Sequence, residues 1–104
     1  MLFDQGVPVP LRESLHSLEV STCYEMGWAE LSNGQLIAEA ERAFDVFVTT
    51  EKNLRYQQDL SDRRIAIFVL PTTRWPQLKS HAQEIHIAIS SITPSAYIEW
   101  QLPT

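Results

Sequence analysis

A chain of 104 residues is long enough for one domain with one modest core. Its 44% apolar and 20% charged content excludes a disordered or fibrous protein, and no apolar run approaches the ~20 residues that cross a bilayer. The net charge of −5 argues against strong non-specific binding to nucleic acid, but the charge is unevenly spread: residues 13–51 carry eight acids and one base, residues 52–74 five bases and two acids.

Leu2-Phe3 reads as a short first strand that releases Asp4, Gln5 and Gly6 at its end. Pro8 and Pro10 suit the start of a helix, where a missing N–H costs nothing. Leu11, Leu15 and Leu18 follow as one apolar stripe. Glu19-Val20-Ser21 reads as a second short strand, and Tyr24 to Trp28 as a helical turn stopping at Gly27. Ser32 opens the next helix as a capping box, with Gln35 at the third helical position. Leu36, Ile37 and Ala40 form that helix's apolar face, and Ala43-Phe44 closes it. Asp45 to Val48 is then a strand buried on both faces, followed by Thr49, Thr50 and Glu51.

Lys52 to Leu60 is polar and reads as a short helix or irregular turn. Arg64 to Leu70 is the strongest strand pattern, apolar throughout, and Pro71 ends it. Pro76 opens a last helix whose stripe of Leu78, Ala82, Ile85, Ile89 and Ile92 repeats at four-three-four-three. Ala96 to Trp100 is a final strand at a sheet edge. Strands alternating with helices predict a single α/β domain over residues 1–104 with a mainly parallel sheet.

The single Cys23 cannot form an internal disulfide and fits a reducing, cytoplasmic setting. The first residues lack the basic and apolar regions of a signal peptide. His16, His81 and His86 are scattered and give no zinc pattern. In open α/β sheets, ligands sit where parallel strands end. Two strands that each deliver a carboxylate there, Asp4 and Glu51, therefore define a candidate site. Thr49, Thr50, Asn53, Arg55, Tyr56 and Arg74 fall on the same rim or just after it, and Arg with Tyr suits phosphate contact and base stacking. Each has a plainer role as cap, packing or solvated surface; Gln35 is first a capping partner, and Trp75 packs while Pro76 sets its helix. Arg63 and Arg64 precede a strand, at the opposite end.

The blocks LFDQGVP, GWAELSNGQLIAEAE, FDVFVTTEKNLRYQQDL, RRIAIFVLPTTRWP and YIEW, in this order, resemble the small bacterial PIN-like proteins related to VapC-type toxins. The resemblance covers nearly the whole chain. It implies a PIN-like three-layer α/β/α sandwich with central strand order 3-2-1-4-5. It also implies a Mg²⁺- or Mn²⁺-dependent endoribonuclease, the toxin half of a toxin–antitoxin pair, with RNA as substrate and a small DNA-binding antitoxin as partner; a homodimer is a further expectation. Carried over by position, Asp4 matches the first metal-binding acid and Glu51 a position that is usually Asp. Asn33 and Gln35 stand where relatives often have Asp and Glu. Two of four expected carboxylates are thus amides, so metal binding is expected to be weak. The alternative is a catalytically weak or inactive module, kept to bind its antitoxin or itself. A flavodoxin-like receiver domain would want paired acids after the first strand and a Lys after the last, and this chain has neither.

Overall fold

A computed structural model describes residues 1–57, 60 and 62–103, the side chains of residues 56 and 57 excepted. Among them, strands and helices alternate: β1 (Leu2–Phe3), α1 (Leu11–Ser14), β2 (Ser21–Thr22), α2 (Asn33–Ala43), β3 (Val46–Thr49), α3 (Leu54–Gln57), β4 (Ala66–Val69), α4 (Trp75–Lys79), α5 (Ala82–Ser90) and β5 (Tyr97–Glu99). The five strands form one all-parallel sheet in the order β2-β1-β3-β4-β5.

That order corrects the expected 3-2-1-4-5. The chain crosses back past β1 one strand earlier, and the residues explain why. Phe47, Val48 and Thr49 of β3 are buried, so this strand needs neighbours and cover on every side. Ser21-Thr22 is polar and half-buried, which suits an edge. The apolar strand therefore takes the centre beside β1, and the polar one stays outside. The resulting order is that of flavodoxin-like doubly wound sheets.

The period of two along each strand sends alternate side chains into two cores. Phe3, Val48 and Phe68 face Leu11 of α1, Leu15 just after it, and Leu78, Ile85 and Ile89 of α4 and α5. Leu2, Phe47 and Ile67 face Leu36, Ile37, Ala40 and Leu54 of α2 and α3. Helices thus cover both faces, giving three layers. No described helix is long and apolar enough to cross a membrane.

α2 begins where the capping box placed it: Ser32 Oγ accepts from the Gln35 N–H at 3.4 Å, and Gln35 Oε1 accepts from the Ser32 N–H at 3.1 Å. Other elements depart from their sequence pattern. α1 stops at Ser14, because Leu15 (φ −106°, ψ 33°) leaves the helix and a tight turn (Leu18 N–H to Leu15 O, 2.8 Å) carries on. Leu11 and Leu15 are buried and Leu18 packs against the same core, so the stripe is satisfied without a long helix. β2 begins two residues later than expected and ends one later, at Ser21–Thr22. The last helix is broken at Ser80-His81, where the His81 N–H turns back to Leu78 O at 2.9 Å.

Candidate functional site

In this sheet order β1 leads outward to β2, and the chain then returns past β1 to β3. The carboxyl ends of β1 and β3 therefore flank a crevice, the position where doubly wound sheets bind ligands. Asp4 leaves β1 there, and Thr49, Thr50 and Glu51 leave β3.

One buried hydroxyl joins the two sides. Thr49 has 0% exposure; its Oγ1–H donates to Asp4 Oδ2 at 2.8 Å and the same oxygen accepts from the Glu51 N–H at 3.0 Å. Asp4 Oδ1 accepts from the Gln5 N–H at 2.9 Å, and Glu51 Oε1 from the Asn53 N–H at 3.0 Å. Both carboxylates are thereby oriented by neutral donors, with lone pairs to spare. Thr49, expected to touch substrate, instead spends its hydroxyl within the protein.

Gly6 is needed for close approach. A Cβ there would collide with Thr50 Oγ1 and meet Thr73 Cγ2 at 3.7 Å, so the loops after β1, β3 and β4 converge on this glycine. Arg74, exposed on the β4 rim, donates its N–H to Thr72 Oγ1 at 3.1 Å and stands at the N-cap of α4. Trp75 is packed against the core, with Pro76 at the helix start.

Asn33 and Gln35 lie at the start of α2, which follows β2 and so begins on the same rim. Gln5 Nε2 donates to Ala29 O at 3.0 Å and ties the β1 loop to the β2–α2 connection. Gln35 Oε1 is held by the capping box, and Asn33 has an interaction of its own. Arg55 lies across the sheet edge: its Nε is 3.5 Å from Glu99 Oε1, and its guanidinium carbon is 5.5 Å from the centre of the Tyr97 ring. The side chain of Tyr56, and Asp59, lie outside the described residues. Arg63 pairs with Glu41 at 3.7 Å, and the Arg64 N–H donates to the same carboxylate, at the far end of the strands.

Sequence reasoning missed the wall beside Asp4. A cleft of about 440 Å³ opens between the β1–α1 loop and the β2 end, lined by Asp4, Gln5, Val7, Val9, Cys23 and Tyr24. Arg12 closes its far side, placing Nη1 2.9 and 3.0 Å from the two Glu25 oxygens and Nη2 2.6 Å from Val20 O. Arg12 and Glu25 are 13 residues apart, and no local spacing marks them as a pair. The Cys23 thiol is pushed up to about 11, first by burial and then by the negative charge of Asp4.

The donor set bears on the divalent ion that the resemblance implies. Among the described residues no group of three His, Cys, Asp or Glu side chains is arranged to hold a metal. The Asp4 carboxylate, fixed by the Thr49 hydroxyl, and the Glu51 carboxylate after β3 are of the donor type used in the open Mg²⁺ mode, in which one or two carboxylates share the ion with water and substrate phosphate.

No protein-family model, curated protein or solved structure matches this chain. Fold and rim together define a doubly wound, all-parallel α/β protein with a two-carboxylate crevice at its switch point.

Proposed function

We propose that the chain is a PIN-like protein related to VapC-type toxins, whose rim crevice hydrolyses RNA phosphodiester bonds with Mg²⁺ or Mn²⁺. The observation that carries this reading is the buried hydroxyl of Thr49, which ties the Asp4 carboxylate at the end of β1 to the Glu51 backbone N–H after β3. A bound ion would supply counter-charge to the phosphoryl oxygens and a more acidic water. The chain's own residues do the positioning. Asp4 and Glu51 would hold the ion, Thr49 fixes the Asp4 carboxylate, and Gly6 lets the loops after β1, β3 and β4 close up around the crevice. Arg74 adds positive charge on the same rim, and Asn33 and Gln35 complete the surroundings from α2. Arg55 is committed to Glu99 and Tyr97, which makes it the weaker candidate for phosphate. A small DNA-binding antitoxin is the proposed partner.

The second reading, a module kept for binding its antitoxin or a second copy, is favoured by one observation: Gln35, in place of an acid, uses its carbonyl to cap α2. Cleavage of a mixed RNA with Mg²⁺ or Mn²⁺, wild type beside Asp4→Asn, separates the two. Metal-dependent cleavage that the substitution abolishes is the expected result. No cleavage by either protein would leave the binding module standing.

A further inference from the structure

Beside Asp4, the cleft between the β1–α1 loop and the end of β2 has the size of a small-molecule site, at about 440 Å³. Val7, Val9 and Cys23 give it apolar walls, and Tyr24, 83% exposed, holds an aromatic ring at its mouth. An aromatic side chain left this exposed gains nothing from the core, and it offers a stacking surface. Asp4 and Gln5 belong both to this cleft and to the crevice, so the two are continuous.

The charges along the cleft narrow its occupant. Among the described residues its one cation, Arg12, is spent on both oxygens of Glu25 and on Val20 O. Glu25 in turn accepts from the Thr22 N–H at 3.0 Å. No cation among the described lining residues is left to take a phosphate, and Asp4 repels one that arrives without a metal. An uncharged, flat, partly apolar group fits these walls. We infer that the cleft is a nucleobase recess: it receives the base adjoining the phosphate bound at Asp4 and Glu51, and Tyr24 stacks on that base. The inference rests on the RNA reading above and adds the residue that grips the strand.

The test uses a short fluorescein-labelled oligoribonucleotide with Mg²⁺. Binding is measured on Asp4→Asn, which prevents turnover, and cleavage on proteins with Asp4 intact. Tyr24 is exposed, so Tyr24→Ala should fold as wild type, checked by its melting temperature. Adding Tyr24→Ala to the Asp4→Asn protein is expected to weaken binding roughly 5- to 150-fold, the range of one lost base stack, while Tyr24→Phe keeps it. An oligonucleotide with one abasic position should reproduce the loss on the Tyr24 protein and add nothing to Tyr24→Ala. Wild-type cleavage together with indifference to both Tyr24→Ala and the abasic position would overturn the recess and leave the nuclease reading intact. Absence of both cleavage and binding would overturn the two together. Loss of antitoxin binding in Tyr24→Ala, with RNA binding unchanged, would assign the cleft to a protein partner and overturn the recess.

Discussion

The Thr49 hydroxyl serves two neighbours at once: its O–H donates to Asp4, and its oxygen accepts from the Glu51 N–H. Thr49→Val keeps the shape and removes the oxygen. It should cost about 1–3 kcal/mol, read as a lower urea midpoint with unchanged slope, because two polar groups lose their partner. Thr49→Ser should restore most of that. Cys23 gives a second residue-scale expectation. Its thiol is held near 11 in the folded chain against 9.0 for an ordinary thiol, so alkylation at pH 8 should run roughly 100-fold slower in the native protein than in urea. Between pH 9 and 11 the unfolded chain gives up this proton while the folded chain keeps it. Its contribution to stability is therefore whole below pH 9 and falls as the pH rises, a slope that Cys23→Ala should remove. The places of Asp4 and Glu51 just past the ends of β1 and β3 were legible in the sequence because an apolar run comes shortly before each. The role of Thr49 was not, since its partner lies 45 residues away.

Elements were legible where their signals are local. The Ser32–Gln35 capping box is a contact over three residues, and α2 starts there. The break between α4 and α5 was hidden in a continuous apolar stripe. At the break stands His81, whose ring lies 6.2 Å from Trp100, beyond α5, and whose Nδ1 is 3.1 Å from Glu84 Oε1. Capping also allows the two roles of Gln35 to be separated. Ser32→Ala should cost about 0.5–2 kcal/mol through the lost cap. Gln35→Ala should lower stability as well, and leave the Mg²⁺ concentration needed for RNA cleavage unchanged. A raised Mg²⁺ requirement would make Gln35 a ligand instead. Where the rim loops meet, Gly6→Ala should destabilise by about 1–3 kcal/mol through collision with Thr50. Thr50→Ala should relieve part of that in the double variant.

For the whole molecule, the alternation of α and β was readable from periodicity, but strand order was not, because the same five strands serve either arrangement. The clue was polarity, Ser21-Thr22 against Phe47-Val48, and it decides which strand can lie outside. Phe47 and Phe68 anchor opposite cores. Either one replaced by Ala should cost about 3–5 kcal/mol, a large part of the total of about 5–15 kcal/mol for such a domain, and a lower melting temperature would report it. The sheet order also governs how the chain assembles in time. β3 and β4 pair across about 20 residues, Val46 with Ala66, whereas β1 and β3 must find each other across about 45, Leu2 with Phe47. Closing the longer loop costs about 0.7 kcal/mol more in entropy, which favours β3·β4 as the nucleus with β1 arriving afterwards. Substitutions at Phe68 should then slow folding, and those at Phe3 should mainly speed unfolding. The Asp4–Thr49 bond spans that same late closure, so the crevice comes into being only when β1 docks on β3, and a chain folded only around β3 and β4 carries no site at all.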